Sequence, residues 1–390
     1  MFEIMEAQTQ DAVIKVIGVG GCGGNAVDHM IGQGVQGVEF IVINTDAQAL
    51  KRSKAQTQLQ IGTNITRGLG AGAKPSVGQE AAEEDRERIK ELISGANMVF
   101  ITAGMGGGTG TGAAPIVAQI AKELDILTVA VVTKPFSHEG NRKRLAQEGI
   151  KLLSEYVDSL IIVPNEKLME VLGENTTLLD AFKASNGVLQ GAVAGIAEVI
   201  NVPGLVNVDF ADVKTVMSEN GMAMMGSAIA SGPDRARIAA EQAIASPLLE
   251  DVDMSNARGV LVNISSNMSL TLKELRDVTG CVQFAAEEAT VIVGSVFDEN
   301  MGDELRVTVV ATGLGAPRIV KQKPEMVYRG EETYQRTGTD NEPIASSSVN
   351  YPDLDTPAYI RSGRRAAVDA MEKSGMDVLD IPSFLRKQAD

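Results

Sequence analysis

No stretch of the 390-residue sequence approaches the ~20 consecutive apolar residues that a membrane-spanning helix needs. The N-terminus shows no basic and then apolar leader pattern. Direct membrane insertion is therefore not expected, and the chain reads as cytoplasmic. Cysteine is scarce: Cys22 and Cys281 lie far apart and suggest no disulfide framework, which suits a reducing compartment. Histidine is equally scarce, and His29 and His138 cannot build a His/Cys metal site. Basic residues are outnumbered, leaving a net charge of −16. That balance speaks against nucleic acid as a partner and against docking on anionic lipid by charge alone. No GxxxxGKS or GxxxxGKT segment occurs, so a P-loop with its phosphate lysine is excluded. An acidic chain that binds polyphosphate must then supply backbone amides, a few placed cations and a metal ion.

What the chain has is clustered glycine. Residues 104–112 read GMGGGTGTG, six glycines in nine positions. An apolar run, 98–101, leads in, and an apolar segment from Ala113 leads out, with Pro115 expected in the first turn of a helix. So many missing Cβ atoms let a bulky anion approach the backbone, where loop and helix N–H groups converge. Thr109 and Thr111 add hydroxyls, and the natural occupant is a di- or triphosphate. A second cluster, residues 18–27, reads GVGGCGGNAV after a β-branched run, 13–19. Gly18, Gly20 and Gly23 match GxGxxG, and Asp46 lies about twenty positions on, after a second strand at 40–43. Alone, this pair favours an NAD(P)-dependent Rossmann oxidoreductase. A dinucleotide fold needs one such loop, however, and this chain has two plus a third cluster at 68–72. Three loops at strand ends can wrap one triphosphate.

At this length two domains and a tail are expected. Strands at 127–133 and 160–163, with a charged helix at 79–93, make residues 11–177 a parallel sheet covered on both faces. A long helix follows at 178–202, with Leu178, Phe182, Leu189, Val193, Ile196 and Ile200 on one stripe and Pro203-Gly204 ending it. Residues 203–316 mix helices near 233–245 and 272–286 with strands at 259–264, 290–297 and 305–312, a smaller α/β domain. Residues 1–10 are polar and read as flexible, and 317–376 lose all periodicity and read as a disordered linker. Residues 377–390, from Asp377 to Asp390, regain Val378, Leu379, Ile381, Phe384 and Leu385, a short peptide suited to a groove.

For phosphate, the candidates are Gly21, Cys22, Gly23 and Gly24, then Gly106, Gly107, Gly108, Thr109 and Gly110. Asn44, Ala71 and Gly72 are candidates for the γ-phosphate side, and Thr133 ends a neighbouring strand. Glu139 can accept from ribose hydroxyls, beside the cations Arg142, Lys143 and Arg144. Phe182 and Asn186 share a helix face and suit a purine, although by pattern alone Phe182 reads as core and Asn186 as solvent-facing. Asn207, Asp209 and Asp212 read by themselves as helix caps.

The GGGTGTG run, with the sequence from Asp11 to about Ala316 and again from Asp377, resembles the tubulin superfamily and within it the bacterial cell-division GTPases. The resemblance implies a Rossmann-like GTP-binding domain joined by a long central helix to a smaller α/β domain, with GTP and Mg²⁺ bound. It implies guanine contacts at Asn25, Phe182 and Asn186. Its arginine four residues beyond Glu139 falls on Lys143 here, between Arg142 and Arg144. It also implies that Asn207, Asp209 and Asp212, as NxDxxD, enter the site of the next subunit in a head-to-tail filament. That filament is the cytokinetic ring at mid-cell. Through residues 377–390 it implies membrane-tethering and regulatory division proteins as partners.

Overall fold

The computed structural model describes residues 12–173, 176–202, 208–219, 221–249, 254–286 and 288–314. The expectations for 1–10, Pro203-Gly204, Asn207, the linker and the terminal peptide lie outside the described residues. Strands β1 Ile14–Val19, β2 Glu39–Asn44, β3 Thr57–Gln60, β4 Met98–Gly104, β5 Leu127–Lys134 and β6 Ser159–Pro164 are parallel, in the order β3-β2-β1-β4-β5-β6. Helices α1 Gly20–Gly32, α2 Ala47–Arg52, α3 Thr63–Thr66, α4 Pro75–Glu84, α5 Arg86–Ile93, α6 Thr109–Glu123, α7 Asn141–Ser154 and α8 Asn165–Leu172 connect them. Alternate strand residues feed two apolar layers, as a period of two requires. Val16, Phe100 and Val129 pack with α1 on one face, and Ile17, Val99 and Ile101 with α4, α5 and α6 on the other.

Helix α9, Leu178–Asn201, is capped by Thr177, whose hydroxyl accepts from Asp180 N. Leu189, Val193 and Ile196 are fully buried. They join a core cluster that also holds Met225, Leu261 and Val310 from beyond the helix. After α9 come α10 Phe210–Met217, β7 Gly221–Ser231, α11 Arg235–Ile244, β8 Gly259–Ser266, α12 Leu272–Ala285, β9 Thr290–Phe297 and β10 Glu304–Leu314. β7 continues the sheet beside β6 in parallel, β10 lies antiparallel between β7 and β8, and β9 is parallel to β8 at the edge. The two α/β regions thus share one ten-stranded sheet.

Several local expectations change. The helix expected at 79–93 is two helices, broken at Asp85. The buried Asp85 carboxylate accepts from Gly62 N at 2.8 Å and pairs with Arg88 at 2.7 Å, so a tertiary bond interrupts a continuous helical pattern. Pro115 is not in the first turn, because α6 starts at Thr109 and Pro115 lies inside it. Residues 20–25 are the opening turns of α1 rather than a loop. Strands β3 and β7 were not anticipated; β7 is rich in Met and Ala rather than β-branched residues.

Candidate functional site

The carboxyl ends of β1 and β4 lie side by side, Val19 opposite Ala103, and the connections leave them in opposite directions. In an open parallel sheet this switch point is where a crevice forms. Both α1 and α6 begin there, and neither has a side-chain cap. A Cβ on Gly20 would come within 2.9 Å of Gly110 N, so the two helix starts touch. Their first-turn N–H groups have no carbonyl of their own helix, and their dipoles add. The pair is a built anion site made of backbone.

The glycines divide into two kinds. A Cβ on Gly23 would collide with Thr102 O, one on Gly108 would meet Ala71 Cβ at 2.9 Å, and one on Gly110 would meet Gly104 O at 2.7 Å. These glycines let the start of α1 and the two glycine loops press together. A Cβ on Gly21, Gly72 or Gly107 would meet nothing within 4 Å. One such position belongs to each glycine cluster, so the start of α1 and both loops keep a bare backbone surface open. That cradle fits a polyphosphate. Gly106 is different: its N–H donates to Thr111 Oγ1 at 2.8 Å, and at φ +98 it packs on Arg142. Thr111 is thus a buried brace of the loop and not a free hydroxyl.

Side chains around the cradle are largely committed. The Cys22 thiol lies 3.7 Å from Thr133 Oγ1; burial pushes its pKa up, against the lowering effect of that contact, so it stays neutral. Gly24 is buried in α1 and Asn25 is exposed beside it. Buried Asn44 accepts from Asp46 N at 3.2 Å, and Ala71 is buried against Gly108. Thr45 and Thr109 share a 2.7 Å hydroxyl bond that ties β2 to the start of α6. Asp46 spends Oδ1 on the N–H groups of Gln48 and Ala49 as the cap of α2. The carboxylate needed for a dinucleotide ribose is therefore a helix cap. Glu139 accepts from Phe136 N at 3.0 Å and pairs with Arg142 at 2.9 Å. Arg144 pairs with Glu148 at 2.6 Å. Lys143 is exposed and carries no ion pair among the described residues, so the three cations are not equivalent.

At the start of α9, Asn165 Oδ1 accepts from Ser185 Oγ at 3.2 Å, joining the end of β6 to α9. This bond holds Phe182 and Asn186 at the same sheet edge as the glycine loops. Phe182 is 46% exposed, so it is not core; its ring meets Phe136 edge-on at 6.2 Å, and Phe136 stacks on His138. Asn186 is half-buried. Sequence reasoning missed Thr45 and Phe136. Thr45 directly follows the end of β2 and Phe136 lies just past the end of β5, which was the available signal. Glu166, which holds Ser137 by its hydroxyl and N–H, keeps its carboxyl pKa low for that reason.

Asp209 and Asp212 are elsewhere. α9 is about 36 Å long at 1.5 Å per residue, and Asn201 at its far end donates to Gly37 O, before β2 begins. α10 runs against β8 and β9. A Cβ on Gly294 would meet Val208 at 3.3 Å, and one on Gly259 would meet Val216 at 2.9 Å. Its N-terminus therefore faces the carboxyl ends of β8 and β9. Asp209 holds the N-cap position without making a cap bond, and Asp212 lies in the first turn. Both are exposed; Asp209 O accepts from Asp212 N and Val213 N in the opening turn, but neither carboxylate has a hydrogen-bond or ion-pair partner among the described residues. Both carboxylates stand where the helix dipole favours negative charge, but the cap hydrogen bond expected at Asp209 is not made. A cleft of ≈ 440 Å³ near Phe284 and Val291 lies on α12, away from the glycine loops, and is lined by no titratable group among the described residues.

Residues 13–173 match the family model described as Tubulin/FtsZ family, GTPase domain, and 221–315 match FtsZ family, C-terminal domain. The chain is 57% identical to the cell division protein FtsZ of Coxiella burnetii, over 99% of each chain. It is also 57% identical to that of Pseudomonas aeruginosa, over the whole of both. Among solved structures it resembles an empty FtsZ dimer from M. jannaschii, with a TM-score of 0.75 at 47% identity, covering 78% of this chain and 89% of that one.

Proposed function

We propose, from the premise that this chain belongs to the FtsZ family of the tubulin superfamily, a GTP cycle completed between head-to-tail subunits. The chain is a self-assembling GTPase of cell division. The triphosphate lies over the starts of α1 and α6, against Gly21, Cys22, Gly23, Gly24 and the stretch from Gly106 to Gly110. Asn44, Ala71 and Gly72 face its γ-phosphate, with Thr133 behind Cys22. Glu139 and Arg142 hold the ribose side, and Lys143 is the cation free to approach. Phe182 stacks on guanine, while Asn186 and Asn25 hydrogen-bond its edge. Mg²⁺ comes with the phosphates: among the described residues no three His, Cys, Asp or Glu form a cage, and this ion commonly keeps waters and binds through substrate phosphates.

The attacking water is held by Asp209 and Asp212, with Asn207, from the next subunit. The observation that carries this reading is the placement of Asp209 and Asp212: their carboxylates are exposed, unpaired among the described residues and past the far end of the helix that begins at the base site. Each subunit presents a different face to each neighbour, so the contact does not close and a filament grows. Leu69, 81% exposed beside the cradle, and Met268 and Leu272, 75% and 80% exposed at the Asp209 end, supply apolar surface for both faces. No helix of the described residues is long and apolar enough to cross a membrane. Residues 377–390 capture the membrane-tethering and regulatory proteins that hold the filament at the mid-cell ring in the cytoplasm.

Light scattering and phosphate release are measured together while protein concentration rises in GTP and Mg²⁺. Both should begin at one threshold concentration. Full per-molecule hydrolysis by dilute monomer would sink the shared site, and NADH binding in place of GTP would restore the oxidoreductase alternative.

A further inference from the structure

Arg235 is 6% exposed, at the first position of α11, and spends its whole guanidinium on three separate elements. Nε donates to Glu274 Oε1 at 2.6 Å, Nη1 to Asp303 O at 3.0 Å and Nη2 to Ser269 Oγ at 2.9 Å. Glu274 in turn accepts from Thr271 N and Oγ1 through Oε2, at 2.8 and 2.9 Å, closing the capping box of α12. Burial opposes ionisation of Glu274, but the bonds from Arg235 and Thr271 hold its pKa below the usual carboxylate range. One buried cation thus braces the segment 267–272, directly at Ser269, which itself bonds Asn267 Oδ1, and through Glu274 at Thr271. That segment carries Met268 and Leu272, two of the most exposed apolar side chains among the described residues. It leaves the carboxyl end of β8, the end that Asp209 and Asp212 face.

We propose that Arg235 is a positioning residue for assembly: through Glu274 and Ser269 it sets the shape in which Met268 and Leu272 meet the nucleotide face of the next subunit. This rests on the head-to-tail reading above. The fork geometry matters more than the charge, because a lysine ammonium cannot reach three partners in one plane. The role is asymmetric. A subunit with a misshapen 267–272 segment keeps its own nucleotide face, and can still accept a wild-type neighbour there.

The full chain carrying Arg235→Lys is compared with wild type by GTP-dependent light scattering, binding of a fluorescent GTP analogue below the assembly threshold, and thermal melting. The variant should bind the analogue as wild type does, while its threshold concentration rises about tenfold, the loss of one or two charge-assisted bonds. Added at a tenth of the wild-type concentration, an amount chosen on the order of one chain in ten, it should shorten wild-type filaments by capping one end. Ser269→Ala removes the Nη2 partner and the hydroxyl's own bond to Asn267 Oδ1, on an exposed segment, while Arg235 keeps Glu274 and Asp303; it should raise the threshold less, with an unchanged melting temperature. Unchanged thresholds in both variants, with only the melting temperature of Arg235→Lys lowered, would reduce Arg235 to a structural brace. Failure of the wild type itself to assemble with GTP would instead overturn the head-to-tail reading, and this role with it.

Discussion

The two ends of α9 are built from opposite materials. At its start, the cradle is backbone: three glycine clusters pressed together, two uncapped helix starts, and side chains already engaged with one another. At its far end the chemistry is in side chains that engage nothing: the Asp209 and Asp212 carboxylates are exposed and unpaired among the described residues, and Met268 and Leu272, on the segment that leaves the carboxyl end of β8, are exposed too. A backbone cradle is preorganised, since its donors are fixed by the fold and cost little to order when an anion arrives. A cluster of unpaired side chains has no such partner among the described residues. The contrast teaches that one end is complete as folded, and the other is complete only against something else.

The contrast breaks most visibly at Asp212. Asp212→Ala should bind GTP and melt as wild type does, yet lose about 10²- to 10⁴-fold in phosphate release, the range for losing a group that handles the attacking water. Mixed into wild type it should depress activity by more than dilution. Activity that falls only in proportion to its fraction would show that the carboxylate serves its own chain or none. At the other end, two glycines test whether the cradle is packing or surface. Gly23→Ala drives a methyl into Thr102 O and should cost about 3 kcal/mol of stability, read by denaturant melts. Gly107→Ala adds a methyl to open space and should leave the fold alone while weakening GTP. Equal melting losses in both would erase the distinction.

Base choice is a smaller effect. Asn186→Leu should lose about 1–3 kcal/mol of GTP affinity by calorimetry, with folding unchanged. Undiminished affinity would remove Asn186 from the site. The smallest change is expected at Glu198, which lies on α9 between the two ends. Burial raises its pKa, against the opposing charge of Arg306 and a hydrogen bond from Asn263. A carboxyl whose folded pKa is raised contributes stability that is full below its unfolded pKa and is lost as pH rises through the folded value. Glu198→Gln should therefore raise the melting temperature at neutral pH by no more than about 4 °C, the shift for ~1 kcal/mol in a chain of this kind. The gain should vanish toward pH 4. A gain that persists in acid would mean packing, not ionisation, is the cause.

Sequence alone determined the cradle, because its signal is local. Glycine clusters after apolar runs state where strands end, helices start and the backbone lies bare, and β1, β4 and α6 followed within a few residues. It also determined the class of the sheet, since strands buried on both faces read as continuous apolar runs. What the chain could not state locally was decided by contacts between distant residues. Asp85 cuts a helix because Gly62, twenty-three residues away, offers it an N–H. Phe182 sits on an apolar stripe and yet is 46% exposed, its ring meeting Phe136 from beyond β5 rather than a core layer. Asp46 matches a ribose ligand and instead caps α2. Asp209 stands where a cap belongs and makes no cap bond. In each case the residue type permits two uses, and the choice between them is made by the geometry of neighbours that only the folded chain brings near.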